Sequence, residues 1–241
     1  MEKPKVLITG ASKGIGKAIA EKLAEHYTLI LHASKPENLP PTGEGIFHLC
    51  ADFSDNTQLT EFCSRLKKEH GDSLYAIINN AGLTFDKSLI FQPEKDIDTI
   101  IQVNLKAPIM ICKTAMKIFN AKKSGVIINV SSIVAQTGNA FQSVYTSTKA
   151  GLIALSKSLA QEAAVLNQDG HSIRVLSIAP GFIETNMTNA LPEAEKEKYL
   201  NRIPARRFGT ADDIAESVAF LLSEKASFIN GINFDINGGM I

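Results

Sequence analysis

An excess of charge, paired cysteines and long apolar runs are all missing from this 241-residue chain. Lys plus Arg number 25 and Asp plus Glu number 25. That balance gives no long-range field to draw in nucleic acid or an anionic membrane, and neither is expected as a partner. The three cysteines, Cys50, Cys63 and Cys112, form no CxxC pair and no zinc signature. Their odd count leaves one unpaired, and they read as small buried hydrophobes in a reducing compartment, with no metal site. No stretch approaches the roughly 18 apolar residues of a membrane span. The opening Met1-Glu-Lys-Pro-Lys leads only into Val6-Leu-Ile8, too short an apolar core for a signal peptide, so the cytoplasm is the expected location. Repeats, low-complexity tracts and linkers are also absent, which argues for one domain spanning 1–241.

What is present is a 44% hydrophobic chain in which short apolar β-type runs alternate with helical stretches. Strands are predicted at 6–9, 28–32, 46–50, 75–79, 125–130, 173–179 and 233–236. Helices are predicted at 14–25, 56–69, 94–103 running on toward 119, 143–166 and 210–222. Such alternation implies βαβ units with right-handed crossovers. The expected fold is α/β: a single doubly wound, Rossmann-type domain with a mainly seven-stranded parallel sheet and helices on both faces. Two segments break the rhythm. Pro40 and Pro41 fall in a crossover near the lower limit of about 10–12 residues, so its helix should be short or irregular. Residues 182–208 form a long insertion after the sixth strand, where lids over sites are common, with a helix expected within 191–203.

Thr9-Gly-Ala-Ser-Lys-Gly-Ile-Gly16 follows a strand and opens a helix. Glycines at 10, 14 and 16 permit a sharp turn and a close approach of backbone to a pyrophosphate, which the helix N–H groups then receive. A P-loop is the competitor, but Ala18 follows Lys17 where that motif needs a hydroxyl for Mg²⁺. At the end of the second strand, His32-Ala-Ser-Lys35 carries no acid before Glu37. An acid there would bind the ribose of NAD and repel a 2′-phosphate, whereas Ser34, Lys13 and Lys35 would welcome one. NADP(H) is therefore the expected cofactor, with Glu37 folding back to an NAD ribose as the other possibility.

Tyr145 and Lys149 stand four apart in a predicted helix and so share a face. A neighbouring ammonium favours the phenolate and lowers the phenol's pKa, which suits proton transfer to a carbonyl oxygen. The pair alone is a weak signal. Its company strengthens it: Ser131 and Ser132, Asn79-Asn-Ala-Gly82 and Pro180-Gly-Phe-Ile-Glu-Thr185 all end predicted strands and converge on one crevice.

In these stretches, with Asn104, Tyr145-Thr-Ser-Thr-Lys149 and Asn237-Gly-Gly-Met240, the chain resembles the short-chain dehydrogenases/reductases over essentially its full length. Ala179 to Thr185, Met187-Thr188, Ile203-Pro-Ala205 and Arg207 make it most similar to the 3-oxoacyl-(acyl-carrier-protein) reductases. The resemblance implies NADPH-dependent reduction of a 3-oxoacyl thioester in fatty acid synthesis. It implies Tyr145 as acid, Ser132 as the carbonyl-binding hydroxyl, Lys149 holding the ribose and Asn104 placing a water of a proton relay. Gly10, Ser12, Lys13, Gly14, Ile15 and Gly16 would cradle the ribose-phosphate end, beside Ser34. Asp52 and Phe53 would meet the adenine, Asn80, Ala81 and Gly82 the ribose, and Ile183 and Thr185 the nicotinamide carboxamide. A homotetramer and an acyl carrier protein as partner are implied too. The chain departs from the pattern at the short second crossover and at Asn167-Gln-Asp-Gly-His171, and a basic carrier-docking residue is not evident, though Lys122 and Lys123 could supply part of such a patch. Other carbonyl substrates (acetoacetyl-CoA, a small ketone, a sugar) and a non-catalytic NADP-binding scaffold are the alternatives.

Overall fold

A computed structural model describes residues 3–168, 170, 172–184 and 193–241. Seven strands pair side by side, all parallel, in the order β3-β2-β1-β4-β5-β6-β7. They are β1 (Lys5–Ile8), β2 (Thr28–Leu31), β3 (Ile46–His48), β4 (Leu74–Asn79), β5 (Ser124–Val130), β6 (Ser172–Pro180) and β7 (Asn233–Ile236). The helices are α1 (Gly14–Leu23), α2 (Asn56–His70), α3 (Glu94–Ile101), α4 (Ala107–Lys122), α5 (Val134–Thr137), α6 (Ser143–Leu166), α7 (Glu193–Leu200) and α8 (Ala211–Leu222). The doubly wound sheet expected from the alternation is the observed fold.

Alternation along each strand splits the apolar residues between two cores. Leu7, Ile30, Ile77, Ile127 and Val175 point to one face and meet α2, α4 and α6 through Phe62, Leu66, Ile111, Phe119 and Ala163. Val6, Ile8, Leu29, Leu31, Ile78, Ile128 and Ile178 point to the other and meet α1 and α8 through Ile19, Leu23, Val218 and Leu221. Strands buried on both faces need continuous apolar runs, and that is why they read so clearly in the sequence. Asp55 starts α2 by accepting the Thr57 and Gln58 N–H groups, and Thr210 and Asp213 form a capping box at α8.

The second crossover is a single 3₁₀ turn, Pro36–Asn38, as its prolines required. The long helical run from 94 is not continuous. A π-turn, Gln102–Lys106, separates α3 from α4, with Pro108 in the first turn of α4. Cys63 and Cys112 are buried, Cys50 is half-buried, and all three are free. Among the described residues no helix is long and apolar enough to cross a membrane. The order of the strands reverses between β1 and β4, and in such sheets the crevice at the reversal is where ligands bind.

Candidate active site

The chain leaves β1 and turns at Gly10, whose φ of +66° lies in the left-handed region. A Cβ there would stand 2.9 Å from the Ala81 Cα, and one on Gly16 would stand 2.2 Å from the Gly10 carbonyl oxygen. Neither position admits a side chain, and their closeness lets α1 begin directly behind the turn. The Thr9 hydroxyl accepts the N–H groups of Asn80 and Ala81 at 2.9 and 3.0 Å. The Asn80 amide donates back to the carbonyls of Thr9 and Gly10 at 3.0 and 3.1 Å. The ends of β1 and β4 are thus tied into one unit.

A cavity of about 590 Å³ opens over this unit. Gly10, Ser12, Lys13, Gly14, Ile15, Ser34, Asp52, Phe53, Asn80, Ala81, Gly82 and Ile183 line it, each anticipated from the sequence. Gly16 is buried behind the turn, and Thr185 lies outside the described residues. Lys35 is not part of the lining, so Lys13 is the cation that accompanies Ser34 there, with Asp52 and Glu184 adding negative charge. The Asp52 carboxylate is occupied by Ser54, accepting its N–H at 2.9 Å and its hydroxyl at 2.7 Å. The first turn of α1 has no side-chain cap, so its N–H groups remain available to an anion. Turn, volume and donors together fit a dinucleotide. Phe53, also in the lining, is 4% exposed and gives a ring face to His32 at 3.9 Å.

Beyond the cavity, β5 and the start of α6 bring the chemical groups together. Ser132 stands near enough to the Tyr145 phenol to favour its ionised form, and its hydroxyl accepts the Val134 N–H at 3.4 Å. Ser131 is buried and donates to the Lys149 carbonyl at 2.8 Å, which leaves Ser132 as the serine facing outward. Lys149 Nζ donates to the Val130 carbonyl at 2.8 Å and lies 5.6 Å from the centre of the Tyr145 ring. Burial pulls the Lys149 ammonium down to about 8. Burial also raises the Tyr145 phenol above its ordinary value, against the lowering effect of Ser132, and Asp86 adds to the rise. For the protein alone, burial is the largest influence on the phenol and acts against the acidification expected of the lysine, which lies 5.6 Å from the ring centre.

Asn104 is fully buried in the π-turn rather than solvated. Its Oδ1 accepts the Leu83 N–H at 2.9 Å and its Nδ2 donates to the Leu83 carbonyl at 2.7 Å. Gly82 lies between: a Cβ on it would sit 3.4 Å from both Asn104 Oδ1 and Lys149 Nζ. Sequence reasoning did not find His32. This 3%-exposed residue lines the cavity and hydrogen-bonds Gly10 and Ala51. The only signal was a polar residue at the tip of an apolar strand.

The insertion after β6 contains α7, which falls within the 191–203 expected, and residues 185–192 lie outside the described residues. Phe182 packs on Tyr199, with ring centres 4.7 Å apart. Arg207 pairs with Asp213 through both nitrogens at 2.6 and 2.9 Å, and Arg206 donates to Asn201. Lys122 donates to the carbonyls of Asp72 and Leu74.

A family model described as enoyl-(acyl carrier protein) reductase matches residues 10–241. The 3-oxoacyl-(acyl-carrier-protein) reductase FabG of Escherichia coli K12 is 38% identical over 242 residues, covering 97% of this chain and 96% of that protein. The enzyme of the same name from Staphylococcus aureus is 40% identical over 243 residues, with the same coverage of each. The chain belongs to the short-chain dehydrogenase/reductase superfamily. It is an oxidoreductase of the CH–OH/C=O class.

Proposed function

We propose that this short-chain reductase uses NADPH to reduce a 3-oxoacyl thioester carried on acyl carrier protein to the 3-hydroxyacyl thioester. One observation carries the reading: Ser132, Tyr145 and a buried Lys149 stand together next to a cavity that fits a dinucleotide. When bound, NADPH supplies the hydride that reaches the carbonyl carbon. Ser132 orients the carbonyl oxygen and Tyr145 Oη gives it a proton. The raised phenol pKa suits this direction, because an acid must hold its proton at neutral pH. Lys149 holds the ribose and stabilises the phenolate that remains. Asn104, fixed on Leu83, sets the π-turn that places the water returning a proton to Lys149.

The glycine turn with Ser12, Lys13 and Ile15 cradles the phosphates. Lys13 and Ser34 receive the 2′-phosphate, and Asp52 and Phe53 border the adenine. Asn80, Ala81 and Gly82 line the ribose, and Ile183 and Thr185 meet the carboxamide. Residues 182–208 act as the lid of a single domain. The names of the relatives support the carrier-linked substrate, and fatty acid synthesis is the pathway in which such a reduction serves. We place the enzyme in the cytoplasm as a homotetramer. Ile101 on α3, Ile109 on α4 and the fully exposed Phe228 and half-exposed Ile241 near the carboxyl end support the association.

The test is NADPH oxidation with a 3-oxoacyl thioester on acyl carrier protein, its coenzyme A analogue and simple ketones, repeated with NADH. The carrier-linked thioester should give the highest kcat/KM, with NADPH preferred. Equal rates on all three substrates would remove the carrier reading, and a preference for NADH would remove the cofactor assignment.

A further inference from the structure

Gly10 and Ala51 belong to different loops, and one imidazole joins them. The Gly10 N–H lies 3.2 Å from His32 Nδ1, and His32 Nε2 lies 2.9 Å from the Ala51 carbonyl oxygen. An N–H needs a lone pair opposite it and a carbonyl needs a proton. Both demands are met by one form only, the neutral ring protonated at Nε2. The surroundings favour that form. His32 is 3% exposed, lies flat on Phe53 with 5° between the planes, and takes the edge contact of Phe62 at 5.3 Å. Burial lowers its pKa to about 4, against the opposing pull of the Ala51 hydrogen bond and Asp52. The main chain grips the same place: the His32 carbonyl accepts the Ala11 N–H at 2.8 Å.

Three segments meet at this ring, the glycine turn, the end of β2 and the stretch 51–54, and all three line the cavity. We infer that His32 is a positioning residue for dinucleotide binding, holding the glycine turn in its phosphate-receiving shape by accepting the Gly10 N–H. The inference rests on the dinucleotide reading above. The direction of the first N–H in the turn constrains those that follow, because Gly10 occupies a left-handed conformation that few alternatives share. Without an acceptor, the half-buried Gly10 N–H loses its partner and the loop can rotate it toward water in the cavity. His32 touches no reacting atom, so its effect belongs in cofactor affinity and not in the chemical step.

Two variants separate this role from mere packing. His32→Asn places an oxygen near the position of Nδ1 and keeps the Gly10 acceptor. His32→Gln places an amide near Nε2 and keeps the donor to Ala51. Both lose the aromatic stack, so their general cost to the fold is shared. Calorimetric titration with NADP⁺, thermal melting and steady-state kinetics are compared across wild type and both variants. His32→Asn should bind NADP⁺ about tenfold more tightly than His32→Gln. The NADPH KM should follow the same order while kcat stays within about twofold of wild type. Equal affinities in the two variants, or a fall in kcat at unchanged KM, would overturn the inference while leaving the dinucleotide reading intact. A wild-type protein that binds neither NADP⁺ nor NAD⁺ would overturn both.

Discussion

Replacing Lys149 with Met should stabilise the free protein while ending its reductase activity. Lys149 is 4% exposed, and its pKa falls from 10.5 to about 8 through burial. At about 1.4 kcal/mol per pKa unit, the buried ammonium is about 3 kcal/mol less stable than in water. Met has similar length and no charge, so packing is largely kept. The loss is the hydrogen bond to the Val130 carbonyl, worth about 1 kcal/mol. The variant should therefore gain about 2 kcal/mol at pH 7. The gain has a pH signature. The folded pKa lies below the unfolded one, so between pH 8 and 10.5 the unfolded chain binds the extra proton and wild-type stability rises with pH. Below pH 8 the cost is fully present; above 10.5 it is gone. Urea unfolding of both proteins at several pH values from 7 to 10 reads the difference. A Met variant that is less stable at pH 7, or a difference that does not change with pH, would refute the reasoning.

Gly16→Ala puts a Cβ 2.2 Å from the Gly10 carbonyl; the turn must open, and calorimetry should show NADP⁺ binding lost together with a lowered Tm. Asp213→Asn breaks the two-point pair with Arg207 and weakens the capping box of α8. It should cost about 1 kcal/mol, a Tm drop of a few degrees by scanning calorimetry, with the NADPH KM unchanged. Reduction should be level through neutral pH and fall above about 8, as first Lys149 and then the phenol lose their protons, while oxidation of the alcohol rises over the same range. Rate profiles in both directions check this; parallel profiles would contradict it.

The parallel sheet was legible because its inner strands β1, β2, β4, β5 and β6 are mostly buried on both faces, and the crossover broken by Pro40 and Pro41 was legible as a short turn because proline chemistry is local. The glycine turn was legible from its glycines, and Ser131, which donates to the Lys149 carbonyl, leaves Ser132 as the serine proposed to meet the substrate. What escaped depends on tertiary burial. The π-turn at Asn104 interrupts a pattern that reads as continuous helix, and the amide is satisfied by Leu83, 21 residues away. His32 gains its role only when two loops fold onto it. The helix face shared by Tyr145 and Lys149 was visible in the sequence, whereas the burial that most affects both groups comes from the surrounding layers.

The most direct measurement pairs Tyr145→Phe turnover with NADPH binding. The substitution removes one oxygen and leaves the cavity lining untouched. Turnover of the 3-oxoacyl thioester should fall by at least about a hundredfold, while NADPH binds as tightly as to wild type. Turnover at the wild-type rate would contradict proton donation by this phenol.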